Sequence, residues 1–197
     1  MKTTQTTDLK AKIIDTARSQ LLEEGYQNLS LRKIARSIGI SATSIYLHFK
    51  NKDHLVHMLI EEAIKELNLR LEESVLATNN PIEQLQDLTW AYVNFALDHP
   101  RRYKTIFLVS SDEMARYPKE KFRRARKGYQ TIRKILLAGK ESGQIKNHKP
   151  GIAAYTFWAQ LHGVMSVVIS ERLDTKIDKN EFIAEAIEHI IDGYQRE

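Results

Sequence analysis

An all-α fold of about nine helices is predicted by three features of the sequence. Apolar residues recur at spacings of three and four along the whole chain, no segment alternates at period two for long, and no hairpin dipeptide separates apolar runs. Helix-opening residues stand where these stripes begin, Asn80-Pro81, Pro100 and Pro118 among them. From Ile152 to Ser170 apolar residues occupy nearly every side of a helix, the pattern of an element buried all round.

The first helix follows from the stripe Leu9, Ile13, Ile14, Ala17 and Leu21, opened by Thr7 or Asp8 as a cap and closed by Gly25. Ser30 caps a short second helix from Leu31 to Ile38 that Gly39 ends, and Ser41 caps a third from Ala42 to His48. Asn51 caps a fourth starting at Lys52, which Leu55, Leu59, Ile60, Ile64, Leu67 and Leu71 carry past residue 70. That length lets it join an N-terminal domain, residues 1–53, to a C-terminal body, residues 54–197. Asn80-Pro81-Ile82-Glu83 supplies the cap, the N1 proline and the N3 acid of the fifth helix, which runs to Asp98 or His99. Pro100 and Pro118 punctuate the sixth and seventh. The seam Phe122, Ala125, Tyr129, Ile132, Leu136 and Gly139 sets the seventh beneath a basic outer face, and Gly143 to Pro150 reads as a loop. The eighth helix is the apolar one; the ninth, capped by Asp178 with Glu181 at N3, carries Phe182, Ile183, Ala186, Ile187, Ile190 and Tyr194 on one face.

Residues 31–48 hold the sharpest local pattern. A helix-turn-helix needs a small residue where two helices cross, a turn residue tolerant of positive φ, and apolar residues between the helices. Ala35, Gly39 and Ile45 stand at those places, with Ile34, Ile38 and Ile40 filling the remaining inward positions. Together with Ile13-Ile14-Asp15-Thr16-Ala17, Glu24-Gly25-Tyr26, Ser30-Leu31-Arg32-Lys33-Ile34-Ala35, Gly39-Ile40-Ser41, Ile45-Tyr46-Leu47-His48-Phe49-Lys50-Asn51-Lys52 and Leu55, this resembles the N-terminal domain of TetR-family transcriptional regulators over residues 8–56 without a gap. The resemblance implies an all-helical homodimer whose three N-terminal helices bind a double-stranded DNA operator and whose body dimerises and accepts a small-molecule effector. The function expected on that basis is a repressor that holds a palindromic operator as a dimer and is released by the effector.

In such a domain the third helix enters the major groove while the second crosses the backbone. Ala42 and Thr43 offer methyls to thymine, Thr43 and Ser44 offer hydroxyls, and His48 can donate to purine N7 or to a phosphate. Ser30, Arg32, Lys33, Arg36, Ser41 and Lys50 complete the expected DNA-facing set, and the resemblance adds Tyr46 and Lys52 as phosphate contacts. The third helix carries no Arg, Lys, Asn or Gln, the side chains that bond guanine or adenine bidentately. Sequence recognition must then lean on methyls, hydroxyls, second-helix residues such as Arg32 and Arg36, or DNA shape.

In the body, Trp158, His162 and Gly163 resemble the Trp-His-Gly signature of one C-terminal domain type of that family. Trp90, Phe95, Tyr103, Phe107, Tyr129, Tyr155, Trp158 and His162 are the candidates for lining a ligand pocket, although aromatics at helical spacing serve a core first. Ala159, Gly163, Ser166 and Ser170 form a small-residue stripe that lets a second helix approach, and with Ile183, Ile187 and Ile190 they make the expected dimer interface. Arg116 to Lys134 holds nine Lys/Arg against Glu120 alone, a solvated face or an anion-attracting one. The triplets His54, His57, Glu61 and Glu185, His189, Asp192 could each face one way on a helix, but polar helix faces produce such triplets often; no metal and no cofactor is expected.

Charge and composition agree with a DNA-binding head. Of the formal net charge of +5, residues 1–53 carry nine Lys/Arg against five acids. Cys is absent, as are H-E-x-x-H, G-x-S-x-G, P-loop and G-x-G-x-x-G motifs, so nothing in the sequence supports an enzyme. The opening MKTTQTTDLK lacks an apolar core and no run of about 20 apolar residues occurs, so a cytoplasmic protein without a membrane partner is expected.

Overall fold

The structure is a computed structural model that describes residues 2–109, 114, 126–146 and 148–196, with side chains from residue 9 onward. The described residues form nine helices: α1 Lys2–Asn28, α2 Leu31–Ser37, α3 Ala42–Tyr46, α4 Lys52–Ser74, α5 Pro81–Asp98, α6 Pro100–Phe107, α7 Lys127–Glu141, α8 Pro150–Ile169 and α9 Lys179–Tyr194. The all-α expectation holds. Pro118, Phe122, Ala125 and the basic residues Arg116, Lys119, Lys121, Arg123 and Arg124 lie outside the described residues.

Local chemistry sets most boundaries. Ser30, Ser41, Asn80 and Asp178 each sit in extended backbone at an N-cap and accept a hydrogen bond from the first turn. Gly25 leaves helical geometry at φ 79 and kinks α1 where the sequence expected its end. The start of α1 differs from expectation: helix runs back to Lys2 rather than opening at Thr7 or Asp8. No Pro or Gly stands in residues 2–7 to stop it, and a capping side chain permits a helix to begin without compelling it.

The described residues of 1–64 and 101–121 form one compact unit, those of 65–100 and 122–197 another. The first unit thus runs past residue 53 and takes in α6. Leu55, Val56 and Leu59 of α4 are fully buried in one cluster with Ile13, Ala17 and Leu21 of α1, Ile34 and Ala35 of α2, Ile45 of α3 and Phe49. Arg101 of α6 donates to Ser19 Oγ of α1, a tie between residues 82 apart in sequence. Buried Arg18 meets Glu62 of α4 at 2.7 Å.

In the second unit α8 packs on α5, α7 and α9. It is long and apolar enough to cross a bilayer by length and composition, with mean hydropathy 1.4, yet here it is a packing helix. Ala153, Ala154, Phe157, Leu161, Met165, Val168 and Ile169 are buried, whereas Ile152, Tyr155, Ala159 and Gly163 are exposed. The start of α7 is fixed by Asn68 of α4, whose Oδ1 accepts from the buried Gly128 N–H at 2.9 Å. The α7–α8 loop is tied to the chain end: Lys146 N donates to Tyr194 O and Arg196 N to Gln144 O, both at 2.9 Å.

Ile183, Ile187 and Ile190 of α9 are corrected here. All three are buried in the chain's own core together with Ile191 and Tyr194, so they are no free face for a partner. A broad apolar face on a terminal helix is satisfied by α8 and α5 of the same chain, and the outward side of α9 is Glu185, Glu188, His189 and Asp192.

Gly139 shows how tightly the second unit is built. A Cβ there would lie 2.3 Å from Ile145 Cδ1 and 2.6 Å from Cγ1. Gly139→Ala is expected to destabilise the chain by about 1–3 kcal/mol, the range for overpacking. Urea unfolding checks it, and Gly139→Ala combined with Ile145→Ala should regain part of the loss if the clash is the cause.

Candidate nucleic-acid interface

The turn between α2 and α3 is built by three adjacent residues. Ile38 closes α2, Gly39 follows with φ 73, and two backbone bonds seal the end: Gly39 N to Arg36 O at 3.3 Å and Ile40 N to Ala35 O at 3.0 Å. This pair of bonds around a left-handed residue is the Schellman arrangement, which turns the chain sharply while satisfying the last carbonyls. Ser41 then caps α3, accepting from Ser44 N at 3.1 Å, while its Oγ meets Ser44 Oγ at 2.8 Å. Beneath, Ile34, Ile45 and Phe49 are fully buried, so α3 rests on a rigid apolar floor. The elbow into α4 is capped by Asn51 Oδ1, which accepts from His54 N at 2.8 Å, and Lys50 N donates to His54 Nδ1 at 3.1 Å.

Outward from that floor, Ser41, Thr43 and Tyr46 are exposed, and Ala42, Ser44 and His48 half-buried. Tyr46 is 49% exposed, consistent with a side chain that has no core to fill. Arg32 and Arg36 on α2 and Lys50 after α3 are exposed cations flanking it. Ser30 is half-buried; its hydroxyl accepts from Lys33 N at 3.4 Å and its N–H donates to Gln20 Oε1 at 3.1 Å. Lys33 forms an exposed ion pair with Glu24, a contact of small net worth that a phosphate can replace.

Lys52 also has contacts within the chain. Its Nζ donates to Tyr26 O at 3.0 Å and lies 4.1 Å from the centroid of the Tyr26 ring. Tyr26 OH in turn donates to Asp53 Oδ1. The ammonium therefore fastens the start of α4 to the kinked end of α1. Leu47, not singled out from the sequence, is 81% exposed beside Tyr46. The signal was present: at about 100° per residue, Leu47 falls one turn after Thr43 on the same face.

The eight aromatic and histidine candidates of the body are divided between the two units. Tyr103 is fully buried and packs on Phe107 at 4.9 Å, both within the first unit. In the second unit Phe95 is buried beside His99, Trp90 faces outward, and Tyr129 meets Tyr155 with ring centroids 4.4 Å apart and planes tilted by 45°, beside the Arg126 guanidinium. Trp158 lies on His162 at 5.2 Å with rings 6° from parallel, and Tyr92 OH is 3.4 Å from His162 Nδ1. Burial holds the His162 pKa below the usual histidine value and favours its neutral form. Among the described residues no group of three or more His or acidic side chains could hold a metal ion.

Comparison with known proteins places the head and body in one context. Residues 13–59 match the family described as "Bacterial regulatory proteins, tetR family", and residues 85–190 match the "Tetracyclin repressor-like, C-terminal domain". The "Fatty acid metabolism regulator protein" of Bacillus subtilis (strain 168) is 30% identical over 137 residues, 68% of this chain and 70% of that protein. The "HTH-type transcriptional repressor KstR2" of Mycobacterium tuberculosis is 28% identical over 115 residues, 58% of this chain and 57% of that one. A solved "SmeT-Triclosan complex" has the same fold, with TM-score 0.75 at 21% identity over 95% of this chain and 91% of the other.

Proposed function

The chain belongs to the TetR family of bacterial regulatory proteins, and from that premise we propose a dimeric repressor that binds a palindromic operator and releases it when a small molecule occupies the body. It is a DNA-binding transcriptional regulator, in a family of regulators rather than enzymes. The observation that carries the operator reading is α3 itself, held by the Gly39 turn and the Ile45 and Phe49 floor with Thr43 and Tyr46 outward between exposed Arg32, Arg36 and Lys50. Phosphate contacts from these cations would position the head, and the face of α3 would read bases. The work is intracellular on this reading, since its target is DNA.

A second copy is proposed on the open face of α8. Ala159 and Gly163 are exposed there, Ser166 and Ser170 continue the stripe half-buried, and a Cβ on Gly163 would meet nothing within 4 Å. Gly163→Leu therefore leaves the isolated chain unstrained and is expected to weaken the dimer by at least tenfold, read by sedimentation. A variant that stays fully dimeric would remove this face from the interface. The effector is expected to be apolar: one relative is a fatty acid metabolism regulator and one fold neighbour is a triclosan complex.

The test of the whole reading is selection of random duplex DNA by the purified protein, then binding of the enriched duplex at two salt concentrations. An enriched palindrome whose affinity falls steeply with salt supports it. Weak, sequence-independent binding would overturn it.

A further inference from the structure

We propose that the head discriminates operators chiefly through thymine C5-methyl groups, with Leu47 as the principal contact and Ala42 and the Thr43 methyl beside it. This rests on the operator-binding reading and specifies what the operator presents. Ala42, Thr43, Tyr46 and Leu47 fall within one arc of about 140° on α3 and its C-cap. Leu47 keeps helical backbone, φ −67 and ψ −26, and its N–H donates to Thr43 O at 3.2 Å, so its side chain continues the α3 face.

Its exposure is the anomaly. Ile45 and Phe49 on either side are fully buried, while Leu47 is 81% exposed, the most exposed large apolar side chain among the head's described residues. Nothing on that face makes the bidentate bonds that read guanine or adenine, since α3 is Ala42-Thr43-Ser44-Ile45-Tyr46. Ser41 and Ser44 bond each other, which reduces what their hydroxyls offer to base edges. In the major groove the apolar feature of a base edge is the thymine methyl, and a leucine is its natural complement. Arg32 and Arg36 of α2 and Lys50 shortly after α3 are exposed cations of the same helix-turn-helix. Cations on the elements that carry the patch favour a polyanion over an apolar protein surface or a neutral lipid as the occupant, and supply affinity without sequence information.

The methyl can be removed without touching anything else. Each thymine of the enriched duplex is replaced in turn by deoxyuridine and binding is measured at fixed salt. One or two positions in each half-site are expected to lose affinity about fourfold or more, the effect of one buried methyl or methylene group. With Leu47→Ala, thymine and uracil duplexes should bind alike at the position Leu47 reads, and thermal unfolding should be unchanged because the side chain is exposed. Thr43→Val should retain methyl discrimination at its own position and Thr43→Ser should lose it. Unchanged affinity for every deoxyuridine duplex overturns the proposal, as does a Leu47→Ala protein that still discriminates fully. Failure to enrich any sequence is a different result, because it overturns the operator-binding reading as well.

Discussion

Phe49→Ala is expected to lower the stability of the N-terminal unit by about 3–5 kcal/mol and to abolish operator binding at ordinary temperature. Phe49 is fully buried, closes the floor under α3, and donates its N–H to Ile45 O at 3.0 Å. Alanine leaves a cavity where α3 and the start of α4 meet, next to His48 and His54, whose rings lie 6.3 and 6.1 Å from the Phe49 ring. Urea unfolding followed by circular dichroism measures the loss. Phe49→Leu, which keeps most of the volume, should cost well under half as much. Equal losses for both would mean that ring shape rather than filled volume holds the elbow.

The second large effect falls on binding. Arg32→Ala, Arg36→Ala and Lys50→Ala combined are expected to weaken operator binding by 100-fold or more, with little sequence dependence, and to reduce the salt slope by about one for each phosphate that is no longer neutralised. All three side chains are exposed, so melting should barely move. A triple variant with unchanged salt dependence would exclude these cations from the phosphate contacts. Lys52→Ala makes the contrast: with its amine on Tyr26 O, it is expected to lose stability before it loses salt slope.

What the sequence made legible was mostly local. Ser30, Ser41, Asn80 and Asp178 announce helix starts because a capping side chain bonds the next turn, within three residues of itself. The Gly39 turn is legible for the same reason, since a residue at φ 73 before an apolar Ile40 has few alternatives. The misses are long-range. Ile183, Ile187 and Ile190 show an apolar stripe in the sequence, but a stripe does not say whether α8 or a second copy covers it. Tyr103 and Phe107 read as body residues until α6 is seen to belong with α1, through a bond from Arg101 to Ser19 that no periodicity encodes. The bond from Lys52 to Tyr26 O is likewise invisible in the sequence, since it depends on the kink at Gly25.

The bonds between the α7–α8 loop and the chain end also bear on which homologous sequences can keep this fold. Residues 143–149 have the composition of a loop that tolerates insertions, yet Ile145 is wedged against Gly139 while its neighbours bond Tyr194 and Arg196. Adding or deleting one residue between Gly139 and Lys146 would shift Ile145 out of its seat and misalign these backbone bonds. The segment 170–178 is largely exposed and held by short-range bonds such as Lys176 N to Asp174 Oδ1. Length variation during divergence should therefore collect between α8 and α9, while the stretch from Gly139 to Lys146 keeps a constant count.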